Sequence, residues 1–272
     1  MARIQVKVSE KDLDHFFKFL MENPGHFFKV PHLCEKLAQL RMEKIGEKGI
    51  KVLQNVTEGV RDFTIDHNKQ NLLKHAALLR PHSLLCPLGA IDYISTNSAN
   101  MRVLMIGPRS EAELFTLYGI GFHPDNVDAI DLISYSPLID LGDMHDLQFG
   151  DNSFDLIVAG WVLAYSSDNQ KAADEMLRVA RPGAHIAIGC RSEPVFEGLE
   201  DRHLSQAGGV PVQSPDERFG TKVVSRFYDV NQILRLFENH EDEDHIEEIY
   251  FTHQPHPESE GWSTVKAIFR IK

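Results

Sequence analysis

The chain has 272 residues, 42% of them hydrophobic and 25% charged, and its 28 Lys and Arg against 40 Asp and Glu give a formal charge of −12. This composition is typical of a globular protein of one large or two modest domains, and it excludes disorder as the dominant state. The acidic balance, with no basic run in the chain, argues against a partner held through phosphates, so we do not expect nucleic acid as a partner.

The sequence shows neither a membrane or secretion segment nor a paired arrangement of cysteines. The apolar runs are too short to cross a bilayer, and the N-terminus lacks the apolar core of a secretion signal, so we expect a cytoplasmic protein with no membrane partner. Three cysteines, Cys34, Cys86 and Cys190, show no paired spacing. Neither a disulfide framework nor a metal site is therefore predicted.

Residues 1–98 are predicted to form a helical N-terminal cap. Apolar residues recur at helical spacing between residues 12 and 20, and Ser9 followed by Asp12 predicts a capping box. Further helical patterns span residues 33–53 and 67–79, ahead of a stretch rich in helix breakers.

The cap carries no chemical signature. Its aromatic residues Phe16, Phe17, Phe27 and Phe28 are explained by a helical core or a dimer interface. A homodimer through the N-terminal helices is one expectation that follows.

Residues 99–272 alternate between short apolar, β-branched runs and amphipathic stretches. This pattern predicts an α/β fold with a doubly wound, mostly parallel seven-stranded sheet, and the last two strands, which have no helix between them, are expected to pair as an antiparallel edge hairpin. The predicted strands are 102–107, 127–131, 138–142, 154–160, 185–190, 246–253 and 263–272, and the predicted helices are 111–118, 169–180 and 229–240.

Three residues at predicted strand ends suggest a nucleoside site. Ligands of such sheets bind beyond the carboxyl ends of the strands. Gly107 follows the first strand as a turn glycine, Asp131 ends the second strand, and Asp143 follows the third. Each alone is also explained as an ordinary turn or a solvated carboxylate. Together they describe anchors for a tight turn, a ribose and an adenine.

Four segments carry a family resemblance. They are "VLMIGPRSE", "AIDL", "GDMHDLQFGDNSFD" and "EMLRVARPGAHIAIG", and the last two are close matches. The stretch from about residue 101 to 190 resembles the class I S-adenosylmethionine-dependent methyltransferases. The resemblance implies a Rossmann-like domain over residues 99–272, S-adenosylmethionine as cofactor with S-adenosylhomocysteine as its product, and methyl transfer. It also implies that the N-terminal helices cover the substrate pocket, with Phe16, Phe17, Phe27 and Phe28 lining a lid that selects the acceptor.

The resemblance also implies a set of cofactor-binding residues. They are Gly107, Pro108, Arg109, Glu111, Asp131, Leu132, Asp143, Met144, His145, Gly160 and Trp161. The glycine loop departs from the family, because Met105 replaces its usual acid and Arg109 and Glu111 replace two glycines. We expect Arg109 to pair with the methionine carboxylate and Glu111 or Glu113 with the ammonium group. The alternative is that Arg109 is a surface residue and the pocket is degenerate.

Acceptor-binding residues are expected after the fourth and fifth strands of the predicted sheet. Trp161 and Tyr165 are candidates for an aromatic wall, with ordinary packing as the alternative, and Arg191 is a candidate for an acidic substrate group, with a solvated loop position as the alternative. His145 and His203 are weak candidates for a catalytic base, because most of the fourteen histidines must lie on the surface.

The predicted function is methyl transfer to a small-molecule acceptor, with a hydroxyl oxygen favoured. The motif that nucleobase methylases place after the fourth strand is missing, and "AGWVLAY" stands there instead. The alternatives are methylation of nitrogen or sulfur in a small metabolite, and a noncatalytic, cofactor-binding scaffold or regulatory subunit.

Overall fold

The computed structural model describes residues 9–54, 72, 82–166, 168–192, 205–211, 225–238, 244–254 and 263–272. Except for Leu72, the helix predicted over residues 67–79 lies outside the described residues, and so does His203. Within the described ranges, no helix has the length and apolarity needed to cross a bilayer.

Seven of the eleven strands in the described residues correspond to the predicted ones. The strands are β1 (Lys51–Val52), β2 (Val103–Ile106), β3 (Val127–Asp131), β4 (Ile133–Ser134), β5 (Asp140–Leu141), β6 (Phe154–Gly160), β7 (Ala180–Ser192), β8 (Val210–Pro211), β9 (Ser225–Arg226), β10 (Ile246–His253) and β11 (Ser263–Ile271). Strands β1, β4, β8 and β9 were not predicted, and β7 begins five residues before its predicted start. The α-helices are α1 (Glu10–Glu22), α2 (Pro31–Ile45), α3 (His82–Leu85), α4 (Asp92–Asn97), α5 (Glu111–Ile120), α6 (Asn169–Val179) and α7 (Asn231–Glu238).

Seven strands form the main sheet in the order β10-β11-β7-β6-β2-β3-β5. The contacts among β5, β3, β2, β6 and β7 are parallel, whereas β11 is antiparallel to both of its neighbours. The predicted mostly parallel sheet with an antiparallel edge hairpin is therefore confirmed. Strand β6 is buried along almost its whole length, as expected for a central parallel strand covered on both faces.

The N-terminal helices differ in part from the prediction. Helix α1 begins with the predicted capping box, in which the Ser9 side chain accepts from the Asp12 N–H and the Asp12 carboxylate accepts from the Ser9 N–H. The continuous helix predicted over residues 33–53 is wrong, because α2 ends at Ile45. Gly46 takes a positive φ of 68° there, a conformation that ends helices, and the chain continues into β1.

The hydrophobic core crosses the domain boundary predicted at residue 98. Leu84, Leu88 and Ile94, from α3 and α4 and the turn between them, are buried in the same cluster as Val103 and Met105 of β2. The breaker-rich segment thus supplies short helices that cover one face of the sheet. Residues 82–97 belong structurally with the α/β domain rather than with a separate cap.

Helix α5 joins the sheet to the earlier helices. It is apolar on nearly every side, as expected for a helix buried between two layers. Phe115 on its outer face lies 5.3 Å, centroid to centroid, from Phe28, and Ala112 contacts the cluster formed by Cys34 and Ala38 of α2. Phe28 is accordingly a packing residue and not part of a lid. Helix α1, in contrast, has no buried residue.

A buried histidine in β7 gives a prediction about pH. His185 is fully buried, lies between the rings of Tyr93 and Tyr250 at 5.5 and 5.4 Å, and has no hydrogen-bond partner for either ring nitrogen among the described residues. Burial lowers the pKa of His185 to about 4. The unfolded chain therefore takes up this proton at a higher pH than the folded protein does, and stability falls as the pH drops below the ordinary histidine pKa.

We expect His185→Phe, which keeps an aromatic ring in the stack, to remove this dependence. Between pH 7 and 4.5, the free energy of unfolding should fall by about 2 kcal/mol more in the wild type than in the variant. Urea unfolding at both pH values measures the difference. Equal losses in the two proteins would contradict the assignment.

Candidate functional site

The strand order reverses at β2. The next strand along the chain, β3, lies on one side of β2, and β6 lies on the other side. Ligands of open α/β sheets bind at such a reversal, outside the carboxyl ends of the strands. A pocket of about 730 Å³, partly open to solvent, lies there. It contains most of the residues predicted to bind cofactor or acceptor, namely Gly107, Arg109, Asp131, Leu132, Asp143, Met144, His145, Gly160, Trp161 and Tyr165.

Four predicted residues do not line this pocket. Pro108 is buried in the loop after β2, and Glu111 and Glu113 are buried in the first turn of α5. Arg191 is half-buried near the end of β7, where it pairs with Thr264 of β11. The structure therefore supplies no contact between Arg191 and this pocket.

Gly107 forms the tight turn at the end of β2. Its φ is +67°, its N–H donates to the Ile130 carbonyl at 2.8 Å, and a Cβ at this position would overlap a methyl group of Val162. A glycine is therefore required by both the backbone conformation and the close approach of Val162.

We expect Gly107→Ala to lower the free energy of unfolding by about 1 to 2 kcal/mol, since alanine is strained at positive φ and must displace Val162. Chemical denaturation measures this loss. Gly183→Ala is a matched control, because Gly183 also has a positive φ of 80° but has open space where a Cβ would lie. A loss no larger than that of the control would show that the contact with Val162 is unimportant.

In the loop after β2, polar side chains accept hydrogen bonds from the backbone at the positions where the family has glycines. The Glu113 carboxylate accepts from the Arg109 backbone N–H at 3.2 Å, and Ser110 caps α5 by accepting from the Ala112 N–H. The role predicted for Glu111 toward an ammonium group is not supported. Its carboxylate is fully buried and accepts from the Arg41 guanidinium at 2.5 and 2.9 Å and from the Ser136 hydroxyl at 2.5 Å.

Asp131 lies at the carboxyl end of β3, half-buried at the pocket wall. Its carboxylate accepts from the Ile133 N–H at 3.3 Å and its carbonyl accepts from the Gly142 N–H at 3.0 Å. The N-terminal part of the chain braces the same segment. Strand β1 pairs with β4 directly after Asp131, and the Leu53 N–H donates to the Leu132 carbonyl at 2.9 Å.

Asp143 lies in the loop after β5 and is almost fully buried. Its Oδ1 accepts from the His145 backbone N–H at 3.0 Å and lies 2.7 Å from His145 Nδ1. His145 Nε2 lies 2.7 Å from the Ser166 hydroxyl. Both ring nitrogens of His145 are thus engaged and its side chain is fully buried, so the structure argues against the role of catalytic base that was considered for it.

The two segments that match the family closely, "GDMHDLQFGDNSFD" and "EMLRVARPGAHIAIG", are joined by hydrogen bonds next to the loop that carries Asp143. Arg178 of α6 donates to the carbonyls of Leu147 and Phe149 and to the carboxylates of Asp151 and Glu175. Its hydrogen bond holds the pKa of Glu175 below the usual value. Both segments therefore position the loop that carries Asp143.

The aromatic candidates lie after β6. Trp161 has a φ of 63°, rare for a residue with a side chain, and its N–H donates to the Gly189 carbonyl at 2.5 Å. Trp161 lines the pocket and is also buried in the same hydrophobic cluster as Leu84, so its role toward an acceptor stays a prediction. Tyr165 lines the pocket from the turn that follows, half-buried.

Sequence reasoning missed six lining residues. They are Leu72, Ile106, Ile130, Ile133, Gly142 and Val162. Ile106 and Ile130 lie at or next to the last position of a parallel strand, so the rule about carboxyl ends of strands would have found them. Leu72 belongs to the N-terminal part of the chain, and no pattern in the sequence connects it with this pocket. Among the described residues, no group of three His, Cys, Asp or Glu side chains could hold a metal ion.

Comparisons with known proteins agree with this geometry. A family model described as "Methyltransferase domain" matches residues 110–188. A demethylmenaquinone methyltransferase of Desulfitobacterium hafniense is 37% identical over 68 residues, which are 24% of this chain and 27% of the relative. The ubiquinone/menaquinone biosynthesis C-methyltransferase UbiE of Legionella pneumophila is 39% identical over 59 residues, 22% of this chain and 24% of the relative.

A solved structure also aligns along most of the chain. It is the 1,6-didemethyltoxoflavin-N1-methyltransferase of Burkholderia thailandensis, with 11% identity, a TM-score of 0.48, and coverage of 82% of this chain and 94% of that one. The chain spans only about a quarter of the length of the curated relatives it matches. The family match shows a methyltransferase domain over residues 110–188, and the sheet order and strand-end residues agree with the resemblance of this part of the chain to the class I S-adenosylmethionine-dependent methyltransferases.

Proposed function

We propose that the chain transfers a methyl group from S-adenosylmethionine to a small-molecule acceptor, with a hydroxyl oxygen as the favoured acceptor atom. The observation that carries this proposal is the meeting of Gly107, Asp131 and Asp143 at one pocket where the strand order reverses. The backbone turn, the first carboxylate and the second carboxylate match the turn, ribose and adenine anchors expected from the resemblance.

The residues of the pocket fit this cofactor. Asp131 offers carboxylate oxygens that accept from vicinal ribose hydroxyls, and Asp143 with the neighbouring Met144 offers an acceptor and a polarizable apolar contact for a purine ring. Arg109 is the cationic residue of the described lining, and it suits the carboxylate of the methionine moiety.

When bound, the cofactor supplies an electrophilic methyl group with a good leaving group behind it. The contribution of the chain is then to hold the acceptor in line and to exclude water. Trp161, Val162 and Tyr165 provide the apolar and aromatic surface for this task after β6. Both ring nitrogens of His145 already have partners, which supports an acceptor whose hydroxyl ionises readily and needs no protein base.

A second candidate acceptor atom is a ring carbon. The curated relatives are named as a demethylmenaquinone methyltransferase and a C-methyltransferase, and the match to this chain covers about a quarter of the length of each. A ring carbon next to an ionised hydroxyl is a nucleophile of the same acceptor class. The two candidates therefore differ in the atom that faces the methyl group and not in the kind of molecule bound.

The test is incubation of the purified protein with methyl-labelled S-adenosylmethionine and a set of phenolic, amine and thiol metabolites. We expect a labelled phenolic product, and the NMR shift of the labelled methyl group distinguishes oxygen from carbon. A labelled amine or thiol would support the nitrogen or sulfur alternative. Cofactor binding with no labelled product from any pool would support the scaffold or regulatory subunit.

The homodimer through the N-terminal helices stays a prediction. Helix α1 supports it by exposing Leu13, Phe16, Phe17, Phe19 and Met21, with no residue of the helix buried. Light scattering of the wild type and of Phe17→Asp tests it. A dimer that the substitution dissociates is the expected result, and a wild-type monomer at micromolar concentration would contradict it.

A further inference from the structure

A buried chain of hydrogen bonds runs from the pocket wall into the protein. It consists of Asp143, His145 and Ser166, with 2.7 Å between Asp143 Oδ1 and His145 Nδ1 and 2.7 Å between His145 Nε2 and Ser166 Oγ. All three residues are at least nine-tenths buried. Asp143 and His145 line the pocket, whereas Ser166 lies behind them and does not.

The direction of these hydrogen bonds follows from the Asp143 carboxylate, which can only accept. His145 Nδ1 therefore carries a proton and donates it to Asp143 Oδ1. Nε2 of the neutral ring then accepts from the Ser166 hydroxyl, whose oxygen accepts from the Asp168 backbone N–H at 3.1 Å. The hydrogen bond from Ser166 thus favours the tautomer in which His145 holds the carboxylate.

The order Ser–His–Asp is also that of a hydrolytic triad, but the geometry does not allow that chemistry. The Ser166 hydroxyl is fully buried, is not exposed in the pocket, and already accepts from the backbone of Asp168. A nucleophile must reach its substrate. The chain of hydrogen bonds is therefore suited to positioning Asp143.

We infer that His145 and Ser166 are positioning residues that fix the Asp143 carboxylate as an acceptor for the adenine amino group, and so set the selectivity of the site for adenine. This inference rests on the proposed function. The His145 backbone N–H and Nδ1 both contact Oδ1, which fixes the carboxylate plane from one side. A carboxylate fixed in this way accepts an amino group and repels a carbonyl oxygen, since it has no proton to donate.

The experiment compares S-adenosylhomocysteine with S-inosylhomocysteine, in which a carbonyl oxygen replaces the amino group. Calorimetry should show that the wild-type protein prefers the adenine compound by about tenfold or more, as expected for one charge-assisted hydrogen bond. His145→Leu should reduce this preference to within about twofold, because Asp143 loses its fixed orientation. His145→Asn, whose amide can take the place of Nδ1–H, should restore much of the preference.

Two further variants keep the test interpretable. Ser166→Ala leaves the ring in place but removes the partner of Nε2, and it should give an intermediate preference even if His145→Leu folds poorly. Val162→Ala alters the same pocket without touching Asp143, and it should change both affinities by the same factor.

Equal weakening of both compounds in His145→Leu and Ser166→Ala, with the wild-type preference retained, would overturn the inference by showing a merely structural role. Failure of the wild type to bind either compound would instead overturn the proposed function, and the positioning role with it.

Discussion

Asp131→Ala is expected to weaken the binding of S-adenosylhomocysteine by about a hundredfold, because two hydrogen bonds between a carboxylate and ribose hydroxyls are lost together. Asp131 lines the pocket at the end of β3, and its carboxylate also accepts from the Ile133 N–H. Calorimetric titration of the folded variant measures the effect.

Two controls separate recognition from local structure in this experiment. Asp131→Asn keeps an acceptor for the Ile133 N–H but loses the charge, so it should bind with intermediate affinity. Asp128→Ala lies in the same strand, where its carboxylate pairs with Arg102 at 2.6 Å away from the pocket. It should bind as the wild type does. Similar affinities for Asp131→Ala and Asp128→Ala would contradict the ribose assignment.

Arg41→Met is expected to lower the free energy of unfolding by about 3 kcal/mol, since it leaves a buried carboxylate without a countercharge. The Glu111 side chain is fully buried and that of Arg41 is 40% exposed, and the guanidinium contacts both carboxylate oxygens. This ion pair joins α2 to the first turn of α5, next to the cofactor loop. Urea denaturation of wild type and variant measures the loss.

A pair of the same geometry with a solvent-accessible carboxylate provides the matched control for Arg41, since Arg270 is 33% exposed and Arg41 is 40% exposed. Arg270 donates to both oxygens of Glu247 at 2.7 Å, but the Glu247 side chain is 43% exposed. Arg270→Met should therefore cost less than about 1 kcal/mol. Adding Glu111→Gln to Arg41→Met should recover part of the loss, because a neutral amide needs no countercharge. Equal costs for the two arginine variants would contradict the importance of burial.

The sheet was predictable from the sequence because its central strands are short buried runs that alternate with helices, and its edge strands are apolar runs with no helix between them. Strands β3, β6 and β10 begin and end at the predicted residues, and the edge hairpin follows from the lack of a helix before β11. Gly107, Asp131 and Asp143 were found for a related reason. A parallel sheet brings the carboxyl ends of its strands together, so position in the strand predicts position in the pocket.

The missed features depend on contacts between distant parts of the chain. Glu111 follows a turn at the pocket, and only the structure shows that Arg41, seventy positions earlier, takes up its carboxylate. His145 was considered as a base because a histidine near a strand end is chemically suited to that role. Its partner Ser166 lies 21 positions away in a different loop, and no pattern of spacing connects the two.

The helical cap was misjudged for a similar reason. A pattern of apolar residues indicates that one face of a helix is buried, but it does not identify the element against which that face packs. The structure places residues 82–97 in the core of the sheet and pairs β1 with the segment after Asp131. The N-terminal part of the chain therefore braces the wall of the pocket, and Leu72 contributes to that wall.

The most direct test of the central claim is calorimetric titration of the wild-type chain with S-adenosylhomocysteine. The geometry of Gly107, Asp131 and Asp143 predicts saturable binding at one site per chain with a dissociation constant in the micromolar range, about −8 kcal/mol. Absence of heat and of any thermal stabilisation at millimolar S-adenosylhomocysteine would contradict the assignment of this pocket as a cofactor site.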